Sequence, residues 1–434
     1  MNPFEKEKAM RLLSTIATSI ICFSMLSLQA EAETEISVLY PIPSTFSKLQ
    51  EEIAGKFMEA HPDIKIKFQA PAENYAQAVQ QILRSTLTKD TPDVAYIGLD
   101  MLRALVERDL PVDLEPFAEA DGGFDKLGYM ATVVSLGQMN GTTYALPFAI
   151  STPILYVNED LVTAAGSSMD DFPTTWDGIL TLGKKIKALP GAPGGFSFQW
   201  DSSGNWLVQA LINSQGGHMT SENGCEVLFD SKAGTWAFSM LEKFHAEGME
   251  YLTYKQNRPA FDAGKMGIVA GSTAYVAQAD TIIGDKFTFR TMPWPDVAKD
   301  GRVPTGGASA VILTRDKKKQ QAAWEYLKFA TGPVGQTLMV SQTGYGPSNR
   351  LPVDEPTMLG NYYEGHPNQL TSVNQMAIAQ PWESWAGANG IKIKDVINNK
   401  VEGLVSGSLK VSDVFPKLTQ EVRGLLPTNC PVGN

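Results

Sequence analysis

Residues 35–69 read EISVLYPIPSTFSKLQEEIAGKFMEAHPDIKIKFQ, and the change of period within them decides the fold class. Glu35–Tyr40 alternates with the two-residue period of a half-buried strand. Ser44–His61 then has the three-and-four spacing of a helix with one apolar face. His61-Pro62-Asp63 closes that helix, because proline disfavours α geometry in the residue before it. Ile64–Gln69 alternates again, completing strand, helix, strand.

The same alternation continues downstream. A helix is predicted over Tyr75–Lys89, an apolar strand over Asp93–Ile97 after Thr91-Pro92, and a helix over Met101–Arg108. Strands interleaved with helices imply an α/β fold with a largely parallel sheet covered on both faces. Thr143–Pro147 and Pro153–Asn158 read as extended, and Leu161–Ala165 opens a helix. Further helices are predicted over Thr174–Ile186, with Thr174 or Thr175 as N-cap before Trp176, and over Trp206–Gln215, Lys232–Glu247 and Lys317–Thr331.

Upstream of the quoted stretch, Lys6, Lys8 and Arg11 precede an apolar run over Leu12–Leu28, which ends at Ala30-Glu31-Ala32. That is the layout of a secretory signal peptide, with cleavage expected after Ala32, and the run falls short of the ~20 residues that span a bilayer. Cys22 follows Ser-Ile-Ile and so lacks the small residue directly before it that lipid attachment requires. The leader holds as many acidic as basic residues, so the mature chain keeps the formal charge of −11. A chain this acidic is not built for nucleic acid or anionic membrane surfaces. Without its leader the chain still exceeds what one hydrophobic core serves, so two lobes are expected. Cys225 and Cys430 remain after cleavage, either as a disulfide tying the C-terminal tail to the second lobe or as two unpaired thiols.

Residues for bond-breaking chemistry do not assemble in the sequence. The four histidines, His61, His218, His245 and His366, have no second ligand at metal spacing, and His245-Ala246-Glu247 lacks the partner histidine of a zinc helix. There is no Gly-x-Ser-x-Gly elbow and no dinucleotide glycine pattern. Gly191–Gly195 lacks the Gly-Lys-Ser/Thr ending of a phosphate loop. A carboxylate pair of the glycosidase type is recognised by separation in space, so a secreted carbohydrate-active enzyme stays open as a second class.

Eight segments carry a resemblance: FMEAHPDI (57–64), TPDV (91–94), YALPF (144–148), ILYVNEDL (154–161), PTTW (173–176), FDAGKMGI (261–268), GGAS (306–309) and AWEYL (323–327). In this order, spread over nearly all of the mature chain, they resemble the extracellular solute-binding proteins of family 1. That group includes the maltose-binding and glycerol-3-phosphate-binding proteins of ABC importers. PFAISTP (147–153) and PTGGAS (304–309) are most similar to the glycerol-3-phosphate branch. The resemblance implies a two-lobed periplasmic-binding-protein fold of type II, with 33–153 and 304–347 in the N-terminal lobe and 154–303 and 348–434 in the C-terminal lobe. The chain would cross between lobes near Thr152–Tyr156, Val303–Ala308 and Tyr345–Asn349. It further implies a monomeric periplasmic protein that binds one small solute, closes on it about hinges and delivers it to an inner-membrane ABC permease, with no cofactor or metal.

A polyhydroxylated solute calls for aromatic platforms and fixed hydrogen-bonding groups at the loops after strand ends. Tyr75 falls where the family places a ligand aromatic, and Asp100 follows a strand, as a hydroxyl-binding carboxylate or a helix N-cap. Ser151 and Thr152 occupy the first crossing. Trp200 and Trp206 bracket a polar loop, Ser272 and Tyr275 end an apolar strand, and Gly307 sits at the second crossing, where a missing Cβ admits ligand or sets hinge geometry. Tyr345, in Gly-Tyr-Gly-Pro, resembles a ligand tyrosine of the glycerol-phosphate branch. That branch carries a phosphate-holding arginine late in the chain, whereas this sequence reads WESWAGAN over 382–389. Trp382 or Trp385 would suit a sugar face there. The substitution favours a neutral carbohydrate, glycoside or polyol over glycerol-3-phosphate or a glycerophosphodiester.

Overall fold

The computed structural model describes residues 33–191, 193–203 and 205–429. The expected leader 1–32 and Cys430 lie outside the described residues; Cys225 is disulfide-bonded. In chain order the main strands are β1 (Thr34–Leu39), β2 (Ile64–Phe68), β3 (Val94–Gly98), β4 (Leu146–Ser151), β5 (Pro153–Asn158), β6 (Gly194–Phe198), β7 (Met266–Ser272), β8 (Phe289–Pro293) and β9 (Gly306–Ile312). The helices that matter below are α1 (Pro43–Ala60), α2 (Tyr75–Thr88), α3 (Trp176–Lys187), α4 (Trp206–Ser214), α5 (Lys232–Ala246), α6 (Tyr254–Asp262), α7 (Lys317–Thr331), α8 (Pro333–Thr343), α9 (Gly390–Val405) and α10 (Val411–Leu425).

Two sheets organise the chain. The first has the order β2-β1-β3-β9-β4, and α1 lays Phe46, Leu49, Ile53 and Phe57 against its body at the spacing one helical face requires. β1 runs parallel to β2 and β3, but β9 runs antiparallel to both β3 and β4. The expectation of a largely parallel sheet therefore holds only for the first three strands. β9 does not arrive through a helix crossover from its neighbour; it re-enters from the second sheet and so is free to run the other way. The predicted helix over Met101–Arg108 is shortened to Leu102–Val106 behind a 3-10 turn at Leu99–Met101.

The second sheet has the order β8-β5-β7-β6, with only β6 and β7 parallel. The Thr175 hydroxyl caps α3 by accepting the Gly178 N–H at 3.2 Å. That fixes Trp176 at the first turn, fully buried, with ring centroids 5.0 Å from both Phe244 and Trp294 and 6.0 Å from Phe196. Aromatic pairs of this kind contribute about 0.5–1.5 kcal/mol each beyond their buried area. α5, α9 and α10 pack together on this body, burying Phe238, Leu241, Ile397 and Val401.

The chain leaves the first sheet at Ser151, turns at Thr152 and enters the second at Pro153. It returns where Val303-Pro304 pairs with Ala379-Gln380 ahead of β9. Gly307 there has φ +117°, and a Cβ would lie 1.9 Å from the Ala149 carbonyl oxygen, so the glycine is required by backbone packing and the register slip that follows it. After α8, Gly346 donates its N–H to Ile150 O at 2.7 Å. The chain stays bonded to the first body through Asn349, which donates to Leu127 O, and Arg350, paired with Asp125.

Candidate functional site

Where the two bodies face each other, the ends of β4 and β7 and the start of β9 enclose a cleft of about 470 Å³, within the usual size range of small-molecule sites. Of the twelve residues singled out from sequence, Tyr75, Ser151, Trp206, Ser272, Gly307, Tyr345 and Trp382 line it. A smaller recess of about 230 Å³ continues from it past Tyr75 and Asp201 toward Lys394.

Three rings make one wall. Trp382 meets Tyr75 edge-on at 6.3 Å and Trp206 at 6.1 Å, joining the two bodies through aromatic contact. Trp206 is held by its indole N–H, which donates to Thr305 O at 3.1 Å, and a Cβ on Gly306 would touch both this ring and Ser151 Oγ. Tyr345 stacks on Phe46 at 5.8 Å, so α1 supports it from behind. The Tyr75 hydroxyl is buried and has no hydrogen-bond partner. Burial pushes its phenol well above the ordinary value, with Tyr345 and Asp100 adding to the effect. A buried hydroxyl left unpaired on a cleft wall is a position where a solute group is expected to bond. Ile42, at the N-cap of α1, reaches the same cleft with φ 52°, a strained conformation for a β-branched residue.

The remaining five candidates are placed elsewhere. Asp100 does not cap the following helix; it is buried in the turn after β3 and forms an ion pair with Lys394 from the opposite body. Burial raises its carboxyl above the ordinary value while Lys394 opposes the shift. Thr152 is fully buried, its hydroxyl accepting from Gln375 Nε2 at 3.0 Å, because the crossing turns it away from the cleft. Trp200 is buried, stacks on Tyr251 at 5.9 Å and does not line the cleft. Trp385 meets Phe229 edge-on and belongs to the core of the second body. Tyr275 sits one layer behind the cleft, its hydroxyl donating to Asp262 and its ring 4.1 Å from the Arg258 guanidinium.

Sequence reading missed the α6 contribution. Tyr254 and Arg258 line the cleft, and Asp201 beside them accepts the Tyr254 N–H at 2.7 Å, fixing the start of that helix. Thr253 and Gln256 form a capping box there. The Tyr254-x-x-x-Arg258 spacing, which stacks an aromatic and a cation on one helical face, is the signal that would have found them. Beneath the Trp382–Trp385 segment, Glu383 accepts from His218 at 2.8 Å and from the N–H groups of Met219 and Thr220. Among the described residues no cluster of three His, Cys, Asp or Glu side chains could hold a metal ion, and no helix is long and apolar enough to cross a membrane.

Curated relatives match nearly end to end. The chain is 23% identical over 420 residues to the sn-glycerol-3-phosphate-binding periplasmic protein of Brucella suis biovar 1, covering 92% of this chain and 94% of that one. To the protein of the same description from Escherichia coli K12 it is 23% identical, covering 87% and 89%. Among solved structures, the Mycobacterium tuberculosis protein in complex with glycerophosphocholine superposes with a TM-score of 0.79 at 20% identity, over 90% of this chain and 98% of that one. The maltose-bound MalE3 of T. maritima gives 0.77 at 20% identity, over 91% and 100%. These neighbours share the two-lobed type II periplasmic-binding-protein fold. The family model described as bacterial extracellular solute-binding protein matches residues 52–357, and the chain therefore belongs to the bacterial extracellular solute-binding protein family.

Proposed function

We propose that this protein is the periplasmic receptor of an ABC importer, released from its leader after Ala32. As a monomer it captures one carbohydrate, glycoside or polyol-type solute by hinge closure and hands it unaltered to the permease. The observation that carries this reading is the cleft wall itself, where Tyr75, Trp206 and Trp382 present ring faces and edges beside a buried, unpartnered tyrosine hydroxyl. Such a wall accepts the C–H faces of a polyol and offers hydrogen bonds at fixed positions. Affinity near micromolar corresponds to about −8 kcal/mol.

A second reading, a receptor for glycerol-3-phosphate or a glycerophosphodiester, is favoured by the presence of Arg258 in the same cleft. Purified protein, denatured to release whatever it carries and analysed by mass spectrometry after exposure to a cell extract, tests the receptor assignment. One unmodified solute per chain is the expected result. Steady conversion of a glycoside to products would place the protein with the enzymes instead.

A further inference from the structure

Arg258 stands on α6 with one face of its guanidinium 4.4 Å from the centre of the Tyr254 ring and 4.1 Å from that of Tyr275. These two ring contacts restrain the group. Asp262, one turn along, attracts Arg258 electrostatically but makes no ion-pair contact with it, its Oδ2 accepting the Tyr275 hydroxyl instead. Arg258 forms no ion pair among the described residues; its one hydrogen bond is a long contact of 3.4 Å from Nη1 to the Tyr254 hydroxyl. Its Nε–H is buried and has no partner. The other charged residues on the cleft wall are Glu73, Lys255 and Asp201. Glu73 and Lys255 pair with each other at 3.8 Å, and Asp201 accepts the Tyr254 N–H.

A planar cation with five donors that lines a binding cleft, with no carboxylate in ion-pair contact and its Nε–H unpartnered, is placed to receive an oxyanion. A neutral sugar hydroxyl can accept one of these N–H bonds but cannot neutralise the charge, whereas phosphate or carboxylate oxygens take two in parallel. We infer that Arg258 is the anion-recognition residue of this cleft. The solute then carries one oxyanion, as a phosphate ester or a sugar acid, with its hydroxylated part against Tyr75, Trp206 and Trp382. This rests on the receptor reading and reverses the preference for a neutral solute that the sequence around Trp382 suggested. The guanidinium missing from 382–389 has a counterpart on α6.

The test is isothermal titration of the full mature chain, freed of bound solute, with sn-glycerol-3-phosphate, glycerophosphocholine, glucuronate and maltose, alongside identification of the co-purified solute. Arg258→Met and Arg258→Lys are compared with the parent, with melting curves as the fold control. The expected result is an acidic co-purified solute or acidic probe whose binding weakens about 10-fold or more in Arg258→Met. Arg258→Lys, which keeps the charge and loses the stacked fork, is weakened to an intermediate extent. Should Arg258→Met not fold, Arg258→Lys carries the comparison, and unchanged affinity for the acidic ligand overturns the inference. A neutral co-purified solute, or an acidic one bound equally well by Arg258→Met, overturns it too while leaving the receptor reading intact. A chain that carries no solute and binds none of the four probes overturns both.

Discussion

Asp100, in the turn after β3 of the first body, and Lys394, on α9 of the second, form an ion pair in which the Asp100 side chain is fully buried and Lys394 is 13% exposed. The Lys394 ammonium also lies 4.7 Å from the centre of the Trp382 ring, so the pair ties the two bodies together beside the cleft wall. Lys394→Met leaves a buried carboxylate without its partner. Since burial already raises Asp100 and Lys394 is what opposes that shift, the variant is expected to lose about 3–5 kcal/mol of stability or to open the two bodies. Urea unfolding and the radius of gyration by X-ray scattering distinguish the two outcomes. The double variant Asp100→Asn, Lys394→Met should recover most of the loss, and a single variant as compact and stable as the parent would refute the role assigned to the pair.

The Tyr75 hydroxyl has no protein partner in its buried position. Tyr75→Phe therefore removes only a weak interaction with the Tyr345 side chain, and the melting temperature should change little. Solute affinity should fall by about 0.5–1.5 kcal/mol, the net worth of one hydrogen bond. Titration calorimetry on the parent and the variant measures both; equal affinities would mean the hydroxyl faces no solute atom.

The fold was legible where one period ruled, as in α1, whose buried Phe46, Leu49, Ile53 and Phe57 stand at helical spacing. The direction of β9 was not, because a strand returning from another body carries no local mark of its orientation. Among site residues, Ser151, Ser272 and Tyr345 could be placed because they flank strand ends or crossings. Trp200 and Trp206 were indistinguishable in sequence, both being tryptophans beside one polar loop. Only the partners, Tyr251 for one and Thr305 O for the other, separate them. Arg258 was hidden for the opposite reason: an arginine on a polar helix reads as surface until the two rings beside it are brought together in space.

That separation of the two tryptophans makes a paired prediction. Both are buried, so Trp200→Ala and Trp206→Ala should each destabilise the fold by about 3–5 kcal/mol. Only Trp206→Ala should weaken solute binding, by about 2 kcal/mol or more, because only its ring meets the cleft. Binding measured well below each variant's melting temperature resolves this, and an equal loss in Trp200→Ala would show that the loop, not the ring, governs affinity.

Gly307→Ala sets a Cβ 1.9 Å from the Ala149 carbonyl oxygen at a φ of +117°, a region essentially closed to other residues. β9 must then shift against β4, and the expected cost is about 2 kcal/mol or more in denaturant unfolding. Affinity should fall as well, because Gly306, Ser151 and Trp206 are in contact at that strand end. A variant with parent-like stability would mean that the crossing relaxes freely.

His218 donates its Nδ1–H to Glu383 at 2.8 Å, and this hydrogen bond raises the imidazole above its ordinary value of about 6.5. A group raised on folding stabilises the folded state fully below its unfolded value, and that contribution is lost as pH climbs through the folded one. The gap in stability between the parent and His218→Gln should therefore be widest below the ordinary imidazole value and narrow as pH climbs above it. With half of the side chain exposed, solvent screening keeps the effect under about 1 kcal/mol. Glu383 also anchors the Met219 and Thr220 N–H groups and is the neighbour of Trp382. Affinity of the parent should accordingly drift weaker over the same pH interval, while His218→Gln binds independently of pH there. A parallel drift in both proteins would assign the pH dependence to the solute rather than to His218.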